Sequence, residues 1–224
     1  MSTLISEEDK KVILESYWNN LKDPVKFIYF TSEDPECKYC STIEQLYKEL
    51  TELSDKLSLE IHIYEKEKEL AKKYNISNAP VVVLEGRNNG YIKFYGIPSG
   101  MEFPSFIDVV VKVSRGETEL KTELINKLME KVDAKVNIKV FVTPTCPYCP
   151  KMVSTAFQFA ILSDNIEAEA WEAVEFPSES KSYDVMAVPK TIINDTLTFE
   201  GLVTPEYLLH YILHALGKIE DHAH

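Results

Sequence analysis

Long apolar runs are missing from this chain. Its longest aliphatic patches, Val81–Leu84 and Val109–Val111, fall far short of the roughly 18 consecutive residues that a membrane span requires, so no integral membrane helix is expected. Basic charge is also scarce, with 24 lysines and arginines against 36 acidic residues and a formal net charge of −12. A nucleic-acid partner needs a concentrated basic face, so that class of function is set aside. The opening Met1–Lys11 is polar and acidic where an export signal would be basic and then apolar, which predicts a cytoplasmic location. The triplets Asn75–Ser77 and Asn194–Thr196 are then chance matches to a glycosylation signal.

Cysteine is the last scarcity. Only four are present, and all four fall in two Cys-x-x-Cys motifs, Cys37 with Cys40 and Cys146 with Cys149. In a cytosolic chain such cysteines point to catalysis, redox sensing or metal binding, not to structural disulfides.

At 224 residues the chain suits one large domain or two small ones. Spacing favours two. Cys146 lies 109 positions after Cys37, Pro189 lies 109 after Pro80, and in each half the proline follows the second cysteine by 40. The surroundings repeat as well. Val25–Thr31 and Asn137–Thr143 are β-branched and aromatic runs of strand length that lead into the motifs. Ile43–Leu57 and Met152–Leu162 carry helical apolar spacing after them. Strands are expected at Leu59–Tyr64, Val81–Leu84 and Tyr91–Tyr95, and again at Ile166–Trp171, Thr191–Ile193 and Thr196–Phe199. Helices at Glu7–Leu21 and Glu117–Val132 open the halves, and helices at Glu102–Val113 and Pro205–Leu216 close them. Glu65–Lys73 reads as an exposed helix. The fold class is therefore α/β, with a mixed sheet flanked by helices in each half. The boundary falls at Ser114-Arg115-Gly116, giving domains 1–116 and 117–224, and its short linker predicts halves that rest against each other.

The first cysteine of each motif stands where a strand gives way to a helix, beside unpaired backbone N–H groups and the positive end of the helix dipole. This lowers a thiol pKa. A thiolate is the attacking species in disulfide exchange, so Cys37 and Cys146 are the expected nucleophiles, with Cys40 and Cys149 on the first helical turn resolving the mixed disulfide.

CKYC and CPYC, each followed by a helix and later by an X-Pro before a strand, resemble thioredoxin and glutaredoxin active sites, CPYC being the glutaredoxin form. With VFVTPTCPYCP and YDVMAVPKTIIND in the second half, the whole chain is similar to the protein disulfide oxidoreductases of hyperthermophilic archaea and bacteria, which are tandem thioredoxin folds akin to protein disulfide isomerase. The resemblance implies cis peptides before Pro80 and Pro189, each proline packed on its disulfide, and substrate backbone docked at Ala79 and Val188. It implies reduction, oxidation and isomerisation of protein disulfides with no bound cofactor, the electrons coming from a flavoprotein thioredoxin reductase. Tyr39 and Tyr148, inside the motifs, are expected to cover their surface and touch substrate.

One departure stands out: aligning the halves puts Ile28 and Val140 where typical thioredoxins hold a buried acid. Glu65, Glu172 and Glu175, at the ends of neighbouring strands, are the candidate replacements, against plain solvated carboxylates. The two sites also differ. Glu33-Asp34-Pro35-Glu36 precedes Cys37, whereas the neutral Thr143-Pro144-Thr145 precedes Cys146, so Cys146 is expected to have the lower pKa and the second centre to carry more of the exchange.

Other readings are weaker. The cysteine pairs could share one zinc, but 106 positions separate Cys40 from Cys146, where zinc fingers bring their pairs within about 20. His210 and His214 make at most half a metal site, and His62 suits a packed or edge position better than a base. His222 and His224 end an expected frayed tail. Tyr17, Trp18, Phe27, Phe30 and Trp171 read as core. Two rival functions remain, a dedicated dithiol donor to peroxiredoxin and a peptide-binding chaperone with incidental cysteines.

Overall fold

The computed structural model describes residues 3–219, so Met1 and Ser2 of the opening segment and His222 and His224 of the expected tail lie outside the described residues. The first half runs α1 (Glu7–Val12), β1 (Val25–Thr31), α2 (Cys40–Thr51), β2 (Leu57–Ile63), α3 (Lys68–Lys73), β3 (Val81–Glu85), β4 (Tyr91–Tyr95) and α4 (Glu102–Arg115). The second repeats that order as α5 (Thr122–Lys131), β5 (Val136–Val142), α6 (Cys149–Leu162), β6 (Ile166–Glu172), α7 (Pro177–Ser182), β7 (Lys190–Ile193), β8 (Leu197–Glu200) and α8 (Pro205–Ala215).

The expected helix Glu65–Lys73 starts only at Lys68, and three others change length, each for a local reason. The helix from Glu7 continues past α1 as a π turn (Ile13–Tyr17) and a 3-10 turn (Trp18–Asn20). Ile13 and Trp18 are five apart, and the i to i+5 bond from the Trp18 amide to the Ile13 carbonyl lets both bury on one face. After Cys40 the helix stops at Thr51 and does not reach Leu57, which opens β2 opposite Val25. Leu57 faces the core from a strand, so its helical spacing from Leu53 is coincidental. In the second half, the Glu119 amide donates to the buried Gln158 side chain at 2.7 Å, which diverts it from a helical ladder and delays α5 to Thr122.

The eight strands form one sheet in the order β2-β1-β3-β4-β6-β5-β7-β8. Within each half the pairing is mixed: β1 and β5 run parallel to β2 and β6 and antiparallel to β3 and β7. The halves join edge to edge through parallel β4 and β6, which leaves neither edge open at the seam. Side chains fix that register. Lys93, fully buried, pairs with Glu167, lies 3.4 Å from Glu169 and donates to the Asn75 carbonyl at 2.7 Å. Removing one partner of such a buried pair strands a charge, so the network penalises every other alignment of the two strands. Two positions along, Tyr95 stacks on Trp171 with centroids 3.6 Å apart. Above the seam lies α6, buried all round between α4 and the sheet. The turn between β3 and β4 plugs into the second half at Gly90, whose amide donates to the Ala160 carbonyl and where a Cβ would stand 1.9 Å from the Ile166 carbonyl oxygen.

Candidate redox centres

In each half the strand before the motif is buried, and the loop beyond it turns through the first cysteine into a helix that begins at the second. Both motifs are closed as disulfides, Cys37–Cys40 and Cys146–Cys149. Cys40 and Cys149 are buried at the first position of α2 and α6, with Cys37 and Cys146 one turn ahead. Backbone amides point at the sulfurs from different places: at the second centre the Cys149 N–H of the first helical turn lies 3.2 Å from the Cys146 Sγ, and at the first the Ser32 N–H, just past the end of β1, lies 3.3 Å from the Cys40 Sγ. Such donors stabilise a thiolate when the bond opens.

The Ala79–Pro80 and Val188–Pro189 peptides are cis. The Cys146 Sγ lies 3.7 Å from the Val188 carbonyl, and Ala79 and Pro80 line a cavity with Cys37. Behind each proline a glycine closes the strand pair, Gly96 donating to the Pro80 carbonyl and Gly201 to that of Pro189. The Ala79 amide is already engaged by the Asn78 side chain at 2.8 Å. Tyr39 and Tyr148 are 45% and 62% exposed.

The strand registers correct the alignment of the halves. Val140 pairs with Thr191, two residues beyond Pro189, and the residue paired two beyond Pro80 is Tyr29, not Ile28. Ile28 instead matches Lys139. The slip arises because β1 ends six residues before Cys37 and β5 four before Cys146, so the first loop is two residues longer and not three. Tyr29 is fully buried, donates to the Cys40 carbonyl at 2.9 Å, and is held neutral by a pKa that burial drives far up.

The three candidate carboxylates have different surroundings. Glu65 accepts from the Ser32 hydroxyl at 2.5 Å and the Glu33 amide at 3.2 Å, so it braces the loop before Cys37; although burial opposes it, these bonds hold its pKa below the ordinary range. Glu172 is buried with one carboxyl oxygen unpartnered, and burial raises its pKa. Glu175 lines the cavity with Cys37 while accepting from the Ile97 amide at 2.7 Å; burial pushes it up to about 7. Although it belongs to the second half, Glu175 faces the first centre, an outcome of the β4–β6 seam.

A fourth carboxylate escaped the sequence reading. Glu102 is 2% exposed, neither of its oxygens has a hydrogen-bond partner, and burial pushes its pKa up to about 8. It stands on the first turn of α4 beside the second centre: the Met101 amide donates to the Pro144 carbonyl, and the Ser105 hydroxyl to the Pro150 carbonyl. Glutamate at a helix start ordinarily reads as a dipole partner, so only the packing of α4 on α6 marks this one.

Elsewhere, His62 sits on edge strand β2, against Phe30 and 2.7 Å from Glu67. His210 is exposed on α8, four residues before His214. Among the described residues no cluster of three or more His, Cys, Asp or Glu side chains could hold a metal, and no helix is long and apolar enough to cross a membrane.

A thioredoxin-domain family model matches residues 32–108 and 136–214, one match per half, and the chain belongs to that family. It is a thioredoxin-fold oxidoreductase with two Cys-x-x-Cys disulfides. It is 27% identical over 214 residues to the F component of alkyl hydroperoxide reductase from Staphylococcus aureus, covering 95% of this chain but 38% of that protein. The chain thus spans well under half the length of the curated relatives it matches. Among solved structures it is similar to a protein disulfide oxidoreductase from Aeropyrum pernix, with a TM-score of 0.82, 26% identity and coverage of 97% of this chain and 96% of that one. It is equally similar to a structure of the same F component from Enterococcus faecalis, with a TM-score of 0.83, 26% identity and coverage of 92% and 98%.

Proposed function

We propose that the chain is a protein disulfide oxidoreductase that reduces, forms and isomerises disulfides in protein substrates through Cys37–Cys40 and Cys146–Cys149. The observation that carries this reading is that both halves keep a complete centre: a disulfide at a helix mouth with a cis-proline beside it. Residues 1–116 and 117–224 are its two units. In the reducing direction the Cys37 or Cys146 thiolate attacks one sulfur of a substrate disulfide and expels the other as a thiolate, which takes up a proton. The thiolate of Cys40 or Cys149 then attacks the mixed disulfide and releases the second substrate thiol. Two electrons pass to the substrate and the motif ends oxidised; the reverse sequence donates a disulfide. Ala79, Pro80, Val188, Pro189, Tyr39 and Tyr148 form the substrate seats. No cofactor beyond the two redox disulfides takes part, and a thioredoxin reductase returns the electrons in the cytoplasm.

Cys40→Ser and Cys149→Ser variants test this directly by halting the reaction at the mixed disulfide. Each is expected to accumulate a covalent adduct with a disulfide-bonded protein such as insulin; no adduct from either would refute the reading. The likeness to the F component of alkyl hydroperoxide reductase favours a second reading, dithiol transfer to a peroxiredoxin. Reduction of an oxidised peroxiredoxin at a kcat/KM far above that for insulin selects it. A peptide-binding chaperone role would require chaperone yield without insulin reduction by the parent chain.

A further inference from the structure

The cavity over the first centre has a volume of about 600 Å³ and is walled by both halves: the loop around Cys37 and the cis-proline on one side, residues 174–179 on the other. Five carboxylates line it, Asp34, Glu36, Glu65, Glu175 and Glu179, against a single cation, Lys38. The bonds these carboxylates accept come from neutral donors. Glu65 holds the Ser32 hydroxyl, Glu175 the Ile97 amide, Glu179 the Asn78 side-chain amide at 2.6 Å, and Asp34 the Glu36 amide at 2.9 Å. Their negative charge, in which Glu175 shares fully only above about pH 7, is therefore directed into the cavity and outnumbers the lining cation Lys38. Tyr39 and Pro80 add an apolar surface for the stems of long side chains. At the second centre the approach loop Thr143-Pro144-Thr145 is neutral, the Met101 amide donates to the Pro144 carbonyl, and Met101 and Tyr148 are 54% and 62% exposed.

We propose that the cavity over Cys37–Cys40 selects disulfide-bearing polypeptide segments flanked by lysine or arginine, whereas the second centre does not discriminate by charge. This rests on the exchange reading above and adds the substrate class of one of its sites. A basic flank places cations among the five carboxylates as the substrate disulfide reaches Cys37, and an acidic flank is repelled by the same groups. Glu175 and Glu179 make this a property of the joined halves.

The test uses the full chain with Cys146→Ser and Cys149→Ser, so that the first centre alone turns over. Its substrates are peptides with one internal disulfide flanked by lysine, serine or glutamate. At low ionic strength kcat/KM for the lysine peptide is expected to exceed that for the glutamate peptide about tenfold, the gap closing at high salt as the charges are screened. Glu36→Gln combined with Glu179→Gln is expected to narrow the ratio to about threefold. The reciprocal chain, Cys37→Ser and Cys40→Ser, should show no more than about twofold preference. Equal rates for the three peptides, or the same preference at both centres, would overturn the proposal. Calorimetric binding of the same peptides, with serine in place of their cysteines, reads selectivity without chemistry. Tighter binding of the lysine peptide by a chain that reduces none of the disulfides would refute the exchange reading alone, and equal binding would overturn the selectivity.

Discussion

The two centres share a fold and a motif spacing, yet they present different chemistry. Cys37 is half-buried at the mouth of an acidic cavity; Cys146 is 7% exposed behind a neutral loop with an apolar rim. The difference comes from packing between the halves. Residues 174–179 of the second half wall the first centre, while Gly100 and Met101 of the first half press on Pro144 in the second. Each centre also receives one carboxyl from across the seam, the half-buried Glu175 for the first and the buried Glu102 for the second. Duplication thus supplies the sulfur chemistry twice, and the seam makes the copies unequal.

The strongest way to break this comparison is to run each centre alone. Cys37→Ser and Cys146→Ser should each abolish exchange at their own centre and leave the other working, as read by insulin reduction. In the surviving single-centre chains Cys146 should form its thiolate at lower pH than Cys37, because the Cys149 amide faces its sulfur and no acidic loop precedes it. A pH titration of thiolate absorbance decides the matter, and a lower value at Cys37 would reverse the ranking.

Glu102 tests the burial side of the comparison. Its carboxyl rises from the ordinary 4.5 to about 8, so between those values the fold keeps a proton that the unfolded chain releases. Stability therefore falls as pH rises through that window, by a total on the order of 5 kcal/mol. Glu102→Gln cannot ionise and should escape the loss: urea denaturation should find it close to the parent at pH 5 and clearly more stable at pH 9. A variant no more stable at pH 9 would mean that Glu102 is solvated. Gly100→Ala is expected to act less strongly and on the second centre. Gly100 has φ +57°, and a Cβ there would stand 2.4 Å from the Pro144 carbonyl oxygen. The left-handed conformation alone costs a non-glycine residue about 1–2 kcal/mol. Thermal denaturation should show the loss, and exchange at Cys146 should slow more than at Cys37.

The repeat, the element order and both cysteine centres could be read from the sequence because each depends on local pattern: alternation, helical spacing, and residue types at a helix mouth. What escaped depends on pairings across the chain. Lys93, Glu167 and Glu169 look like surface charges on their own strands, and only the β4–β6 pairing buries them together. Trp171 was legible as core but not as the stacking partner of Tyr95. The one-residue slip between Ile28 and Tyr29 shows the same limit, since loop length, not strand composition, sets which residue lies beneath the second cysteine. Glu175 could be named as a candidate from its place beyond a strand end, but its assignment to the first centre required the sheet that joins the halves.

Glu175 offers the smallest and most specific test. Burial pushes its carboxyl up to about 7, the Ile97 amide pulls it down, and Glu172 pushes it up again. When the first centre reduces a substrate, the Cys40 thiol must lose a proton before it attacks the mixed disulfide. As an acceptor from across the cavity that it lines with Cys37, Glu175 can take that proton only above its own pKa, so the rate of the isolated first centre should rise through about pH 7. Glu175→Gln should erase that rise and lower the rate at pH 8 by about threefold, a modest loss because water also reaches the half-exposed centre. The isolated second centre should keep its pH profile. If the rise at the first centre survives in Glu175→Gln, the proton leaves by another route, and the seam then shapes substrate access without shaping the chemistry.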